Sequence, residues 1–380
     1  MLSLSSSHLN PVFSSLSNHK YDTTDYFNVD PHLGGNQPLA DLCQELHRRG
    51  MKIVLDAVFN HTSSEHPWFD KSGQHQRGAY HNLESAYRDY YFFDGDSQRY
   101  EGWNGVPNLP VLNFDNPEVR NIIYGSDSSI IKHWLKPPYN IDGWRFDVIH
   151  MLGEGKGAYN NAHYVKAFRR ATKQQNPQAL VLGEHFFEAT DWLQGDQEDG
   201  AMNYYGFAHP MRAFFAKQDI AYDPIELSSK QFRHWLLEAK AKVPWHNQLA
   251  QLNQLDSHDT ARFITLLKGD DKRMKQAALF LIAYIGVPCL YYGTEVGLEG
   301  ENDPDNRRTF PWERVAQSPW VPVFKQMLML RRQSPALQSG DLIFFDMQDK
   351  LVAFARTLGK QRIVLLLNCS GETATIQLPV

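Results

Sequence analysis

The sequence predicts an α/β protein built as a (β/α)8 TIM barrel, followed by part of an antiparallel β domain. Two observations support this prediction. Short apolar runs alternate with segments that carry apolar residues at helical spacing, an order typical of a parallel sheet with crossover helices. From about Gly340 the pattern changes to β-type segments separated by short turns, which is typical of antiparallel strands.

The predicted barrel elements follow one another along the chain. Each predicted strand is a short apolar run, as expected for a strand buried in a parallel sheet. Six such strands are Met51–Val58, Ile141–Val148, Leu180–Phe186, Ala201–Tyr204, Leu252–Asp256 and Val287–Tyr292. The predicted helices are Pro38–Arg49, Pro117–Leu135, Ala162–Gln175, His209–Ala216, Ser229–Ala241, Lys272–Tyr284 and Val321–Arg332.

Two domains are predicted, a barrel over residues 1–339 and a partial β domain over residues 340–380. The strands of the second are Leu342–Asp346, Leu351–Arg356, Arg362–Asn368 and Thr373–Leu378. Residues 60–114 interrupt the barrel after Met51–Val58, which is taken as its third strand. This segment is too long for a structureless loop, so we expect an inserted subdomain there. The aromatic residues of Tyr80–Trp103 have two interpretations, packing in a core and stacking on sugar rings.

Composition excludes several classes of protein. The chain has 380 residues, a net charge of −5 and no long run of Lys or Arg, which does not favour a nucleic-acid partner. Its 3 cysteines match no zinc spacing and no disulfide framework. Neither a signal peptide nor a membrane-spanning run is present, so we expect a soluble, cytoplasmic protein without a membrane partner.

Three acidic residues, Asp147, Glu184 and Asp259, each end a short apolar run. An ionisable side chain at the carboxyl end of a buried strand is costly unless a site needs it. Because this happens in three separate β/α units, we expect one site assembled from distant segments. A carboxylate nucleophile, a carboxyl acid/base and further carboxylate support are the requirements of glycoside hydrolysis.

Each strand end also has a structural interpretation. Arg145 and Asp147 share a strand face and could be a structural ion pair, although the guanidinium would also keep a nucleophile ionised. Glu184 could be a helix N-terminal Glu in the turn that follows. As a general acid it would be helped by Gly183, which allows close approach of backbone or ligand, and by partial burial, which would help it keep its proton. His61 could be a core histidine, and the segment Asp256–Asp259 could instead bind a divalent metal.

Four ordered segments, DAVFNH, GWRFDVIH, GEHF and NQLDSHD, resemble the signature segments of glycoside hydrolase family 13, the α-amylase family. Further similar segments are NHKYDTTDY, LPVLN, GVPCLYYGTE and NDPDNRRTFPW. Within the family the chain looks most similar to the maltodextrin glucosidases and to the neopullulanase–cyclomaltodextrinase group. GEHF, and LGE after the Asp147 segment, favour the maltodextrin glucosidases.

The resemblance implies a role for each matching residue. Asp147 would be the nucleophile, Glu184 the general acid/base and Asp259 the stabiliser of the transition state. Residues implied to bind the sugars are Tyr21, Asp56, His61, Arg145, His258, Asp303 and Arg307. Asn60 matches a calcium ligand of many family members, but no full set of oxygen ligands is seen, so no metal or other cofactor is predicted.

The resemblance also predicts a barrel that lacks its first strand and helix, because Leu4–Phe13 occupies the place of the family's second strand. The expected activity is retaining cleavage of α-1,4-glucosidic links in maltodextrins. The alternatives are a cyclomaltodextrinase or neopullulanase, and a truncated sugar-binding pseudo-enzyme without turnover. A homodimer is possible, although the N-terminal domain that often forms dimers in this group is absent from this sequence.

Overall fold

The computed structural model describes residues 5–155 and 158–376, which fall into two compact bodies. The N-terminal body comprises residues 5–184 and 195–199, and the C-terminal body comprises residues 185–194 and 200–376. The predicted boundary at residue 340 stays a prediction. In the described part of the chain, no helix is both long enough and apolar enough to cross a membrane.

The N-terminal body is built on four parallel strands, Ser6–Leu9, Lys52–Ala57, Gly143–Phe146 and Leu180–His185, which pair in that order. Its strands are β1 (Ser6–Leu9), β2 (Phe13–Ser15), β3 (Thr23–Val29), β4 (Lys52–Ala57), β5 (Gly143–Phe146), β6 (Glu154–Gly155), β7 (Ala158–Tyr159) and β8 (Leu180–His185). Its helices are α1 (Asn36–Arg48), α2 (Pro117–Arg120), α3 (Ile130–Trp134) and α4 (Asn161–Gln175). Strands β2 and β3 form an antiparallel pair, as do β6 and β7.

The C-terminal body contains three parallel strands and a separate antiparallel sheet. The parallel strands, in the order in which they pair, are β9 (Gly200–Asn203), β10 (Leu252–Gln254) and β11 (Val287–Cys289). The antiparallel strands are β12 (Asp341–Phe344), β13 (Leu351–Leu358) and β14 (Gln361–Asn368). The helices are α5 (His209–Met211), α6 (Ser229–Ala241), α7 (Trp245–Ala250), α8 (Phe263–Leu266), α9 (Asp271–Ala283), α10 (Trp320–Gln333) and α11 (Pro335–Ser339).

Each body buries its own aromatic core. In the N-terminal body, Trp144 of β5 lies under Phe59, with ring centroids 5.8 Å apart. In the C-terminal body, Phe280 of α9 meets Phe354 of β13 at 5.3 Å, so the helix layer and the antiparallel sheet share one core.

Residues 60–114 contain no α-helix and are held by short turns and isolated β-bridges such as His61 with Val111. The fully buried Phe69 packs against several aromatic rings of this segment. Its ring centroid lies 4.8 Å from that of Tyr91 and 4.7 Å from that of Tyr100. Core packing therefore accounts for much of the aromatic content of Tyr80–Trp103. Whether the segment is a subdomain of its own stays a prediction.

Two predicted elements differ from the structure. The helix predicted over Pro117–Leu135 is wrong as a single element: it ends in a π-helical turn, Asn121–Gly125, and resumes at Ile130. Gly125 and the Ser and Asp residues after it favour turns over helix. In the predicted strand Thr373–Leu378, residues 373–376 have no regular structure and residues 377–378 lie outside the described residues.

Candidate active site

The centre of the candidate site in the N-terminal body is the side chain of Arg145, on β5. Its Nη1 donates to both carboxylate oxygens of Asp56, at 2.9 and 3.0 Å, and to Oδ1 of Asp147 at 3.0 Å. Its Nη2 lies 2.8 Å from Oε1 of Glu184. One guanidinium thus holds three carboxyl groups, from β4, from the residue that follows β5, and from β8.

This arrangement follows from strand register. Asp56 pairs with Arg145 across the parallel strands β4 and β5, so the two side chains leave adjacent backbone positions on the same sheet face. Arg145 and Asp147 are two residues apart and share that face. A shift of one residue in this pairing would place the side chains of Asp56 and Arg145 on opposite faces of the sheet.

Glu184 is fixed by a second contact. The backbone N–H of Val148 donates to its Oε2 at 2.8 Å. Val148 has φ 37°, in the left-handed region, which is strained for a β-branched residue and costs on the order of 1–3 kcal/mol. The group that approaches Gly183 closely is a side chain rather than the predicted backbone or ligand, because a Cβ there would lie 2.0 Å from Oε2 of Glu198.

Burial changes the proton affinity of this cluster. Burial raises the pKa of Asp56 to about 6, although Arg145 opposes the shift. Burial, followed by the negative charge of Glu184, raises the pKa of Asp147 well above its ordinary value, again against Arg145. A single guanidinium does not neutralise three buried carboxylates, so the group keeps a proton at a pH where free carboxyls have lost theirs.

Asp56→Asn is expected to flatten the pH dependence of stability between about pH 4 and about pH 6. An unfolded Asp titrates near ~3.9, below folded Asp56, so in this window the folded state binds more protons. Wild-type stability therefore falls as the pH rises, and Asn removes that contribution. The measurement is the free energy of urea unfolding across the window. Asp41→Asn, at an exposed carboxyl on α1, is the matched control, and equal slopes for wild type and Asp56→Asn would contradict the expectation.

His61 and Tyr21 lie beside the Arg145 cluster. The Tyr21 hydroxyl donates to Oδ2 of Asp56 at 3.1 Å. His61 Nε2 lies 3.2 Å from the Tyr21 carbonyl oxygen and its Nδ1 lies 3.3 Å from Nδ2 of Asn60, which fits a neutral ring with the proton on Nε2. Burial lowers the pKa of His61 to about 4, so the ring is uncharged at neutral pH.

Asp259 and His258 lie in the C-terminal body. His258 Nε2 is 3.2 Å from Oδ1 of Asp259, and the Tyr204 hydroxyl donates to Oδ2 at 2.9 Å. The loop that carries them is held by Asn306, whose Nδ2 donates to the carbonyl oxygens of His258 and Thr260 at 2.8 and 2.9 Å.

Two further predicted residues of the C-terminal body pair with each other. Arg307 Nε lies 2.6 Å from Oδ1 of Asp303, and both side chains are partly exposed. Asp256, the other carboxylate of its segment, accepts hydrogen bonds from the Phe263 N–H and the Thr294 hydroxyl, which is a structural role. Among the described residues, no three or more His, Cys, Asp or Glu side chains are arranged to hold a metal ion.

The structure therefore places the predicted residues in two groups. The first group, in the N-terminal body, is Tyr21, Asp56, His61, Arg145, Asp147 and Glu184. The second, in the C-terminal body, is His258, Asp259, Asp303 and Arg307. Asp56 and Arg145 are both 0% exposed and bonded to each other, so their geometry suits positioning of the carboxyls better than the predicted contact with sugar.

Sequence reasoning missed Tyr204, Val148 and Asn306. Tyr204 stands at the end of a weak strand pattern, and the Val148 contact is made by backbone, which leaves no mark in sequence. Asn306 lies within the segment NDPDNRRTFPW, whose resemblance pointed only to its charged residues.

Carboxyl groups gathered around an arginine at the ends of parallel strands are typical of TIM-barrel-like glycoside hydrolases. The catalytic-domain family of α-amylase matches residues 1–326. The chain belongs to the α-amylase family, a family of glycoside hydrolases. The predicted fold class, a TIM-barrel type followed by an antiparallel sheet, is confirmed.

The chain is similar to several known relatives. It is 33% identical to a cyclomaltodextrinase of Geobacillus thermopakistaniensis (strain MAS1), over 100% of this chain and 61% of the relative. It is 36% identical to an intracellular maltogenic amylase of Bacillus subtilis, over 98% of this chain and 60% of the relative. The debranching enzyme of Nostoc punctiforme superimposes with a TM-score of 0.86 at 36% identity, over 98% and 76%. The chain thus spans about three fifths of the length of the cyclomaltodextrinase and of the maltogenic amylase.

Proposed function

We propose that this protein hydrolyses α-1,4-glucosidic links of maltodextrins with retention of anomeric configuration. The main support is the shared bonding of Asp147 and Glu184 to Arg145, which keeps two carboxyl groups together in one buried cluster. Retaining hydrolysis needs two such groups close together, one ionised and one protonated. The buried cluster keeps a proton. The proposal requires this proton to lie on Glu184 when substrate is bound, although burial and the charge of Glu184 raise the pKa of Asp147 in the cluster without substrate.

In the proposed first step, Glu184 gives its proton to the glycosidic oxygen while Asp147 attacks the anomeric carbon. The bond between that carbon and the leaving oxygen breaks, and a covalent glycosyl ester forms on Asp147. Since Oδ1 of Asp147 accepts the Arg145 hydrogen bond, Oδ2 is the attacking oxygen. In the second step, Glu184 takes a proton from water, whose oxygen displaces the Asp147 carboxylate.

The remaining residues have supporting roles in this proposal. Arg145 orients both carboxyls, and Asp56, which is fully buried, holds Arg145 in place. By resemblance, Asp259 supports the positive charge that develops on the sugar in the transition state. Its two hydrogen-bonding neighbours, His258 and Tyr204, would fix the direction of its carboxylate. The contacts of Tyr21, His61, Asp303 and Arg307 with sugars are part of the same proposal.

Two substrate preferences are supported by different observations. The segment GEHF resembles maltodextrin glucosidases and favours release of glucose from linear chains. The name of the Geobacillus relative, cyclomaltodextrinase, favours cyclic maltodextrins as a second candidate. The name of the Bacillus subtilis relative, intracellular maltogenic amylase, supports a cytoplasmic location.

Purified protein incubated with maltotriose, maltoheptaose, cyclodextrin and pullulan is expected to cleave maltoheptaose and to release products first as the α-anomer. Proton NMR within the first minutes separates the anomers before mutarotation mixes them. Faster cleavage of cyclodextrin than of maltoheptaose would favour the second candidate. Release of the β-anomer would contradict retention, and binding without any cleavage would contradict hydrolysis.

A further inference from the structure

The C-terminal body contains a small cavity of about 10 Å³, which is room for one water-sized particle. Its polar lining comes from Tyr204, His209, Arg212, Gln254, Asp256 and Thr260. About 10–15 Å³ is what a single water or monatomic ion requires. A sugar ring therefore does not fit.

Arg212 is the unusual member of this lining. Its side chain is buried, at 4% exposure, yet Nε and Nη2 have no hydrogen-bond acceptor. The Cζ atom of its guanidinium lies 4.0 Å from the Tyr222 ring centroid, and the Nε–Nη2 edge is the part that has no acceptor. Among the described residues no carboxylate forms an ion pair with it. A buried charge without a partner is strongly unfavourable, which indicates that something else occupies this edge.

Other donors line the same cavity. Nε2 of Gln254 and Nε2 of His209 are also buried without partners. Burial, with the positive charge of Arg212, lowers the pKa of His209 to about 4, so its ring is neutral and can carry a hydrogen on Nε2 at neutral pH. The carboxylate of Asp256 is already used by the Phe263 N–H and the Thr294 hydroxyl.

We propose that this cavity binds a monatomic anion, such as chloride, through the edge of Arg212 with Gln254 and His209 as further donors. A single charge of opposite sign neutralises the guanidinium, and its size matches the cavity. Tyr204 lines the same cavity, and its hydroxyl donates to Asp259. An occupied site therefore adds packing beneath the residue that orients Asp259.

The proposal is tested by the melting temperature in sodium bromide against sodium gluconate at equal ionic strength. Gluconate is too large for the cavity. The wild type is expected to melt about 2 °C or more higher in bromide, because a ligand that binds only the folded state stabilises it. Crystals soaked in bromide are expected to show an anomalous peak beside Arg212.

Two variants and a control sharpen the test. Arg212→Met is expected to abolish the bromide effect and the anomalous peak. Gln254→Glu supplies its own negative charge, so it should abolish the bromide effect while melting higher than wild type in gluconate. Arg233→Met, at a partly exposed arginine of α6 that pairs with Asp346, removes the same charge and should keep the effect.

The opposite results would overturn the proposal. A wild type with equal melting temperatures in both salts and no anomalous peak would mean that the cavity holds water only. Arg212→Met would then melt higher than wild type in both salts, because it removes an uncompensated buried charge. A bromide peak that persists in Arg212→Met would assign the ion to other residues.

Discussion

Asp147→Asn is expected to lower kcat for maltoheptaose hydrolysis by a factor on the order of 10⁶ while leaving the affinity for maltoheptaose within a few-fold of wild type. The amide keeps the size of the side chain and can still accept from Arg145, so the cluster stays packed. It does not form the covalent ester. Initial rates give kcat, and calorimetric titration of the inactive variant gives the affinity.

The same variant should be more stable than wild type near neutral pH. Burial and Glu184 raise the pKa of Asp147, so its ionised form is unfavourable in the folded state, and the cost grows as the pH rises above the unfolded value. An amide has no such cost. An active and unstabilised Asp147→Asn would contradict both the assigned role and the electrostatics.

Glu184→Gln is the matched comparison that separates the two carboxyl roles. Loss of a general acid is expected to lower kcat by roughly 10²–10⁴-fold with natural substrates. The decrease should be smaller with an aryl glycoside, whose leaving group needs little protonation. Added azide should then restore turnover, because it attacks the glycosyl ester without a general base. Asp147→Asn should recover turnover neither with the aryl glycoside nor with azide, since no ester forms in that variant.

Arg145→Met is expected to have the largest effect on stability, lowering the free energy of unfolding by about 3–5 kcal/mol at neutral pH. The substitution leaves Asp56, Asp147 and Glu184 buried together without a positive charge. Their ionised forms become unfavourable, so the folded carboxyls bind protons more tightly than the unfolded ones.

The loss should therefore depend on pH in a definite direction. Below the pH at which unfolded carboxyls titrate, the carboxyls are protonated in both states. The loss of stability then disappears, and the variant is at least as stable as wild type because Arg145 has no ionised partner there. As the pH rises, the folded variant must either keep its carboxyls protonated or hold ionised carboxylates in a buried site. The decrease in the free energy of unfolding therefore grows with pH. Urea unfolding at about pH 5 and about pH 8 measures the difference. Arg169→Met, at another arginine of this body paired with Asp199, is the control, and a loss that does not depend on pH would contradict the account.

Much of the architecture could be predicted from local patterns. Helix α6 was predicted with its observed bounds, Ser229–Ala241, and β4 lies within the predicted Met51–Val58. These elements have strong periodicity or a clear apolar run. The region Pro117–Leu135 also has apolar periodicity, but weak helix formers near Gly125 interrupt it, and periodicity alone does not report such a break.

By itself, the sequence determined which residues are candidates, because Asp147, Glu184 and Asp259 stand in short motifs whose chemistry can be identified without coordinates. Only the tertiary structure decided what those residues touch. The bond between Asp56 and Arg145 depends on the register of β4 against β5, and the hold on Glu184 depends on the backbone of Val148. The unpaired edge of Arg212 is likewise invisible in sequence, since a buried charge lacks a partner only once its neighbours are placed. Long-range contacts arise from packing, and a linear pattern of residue types does not encode them one by one.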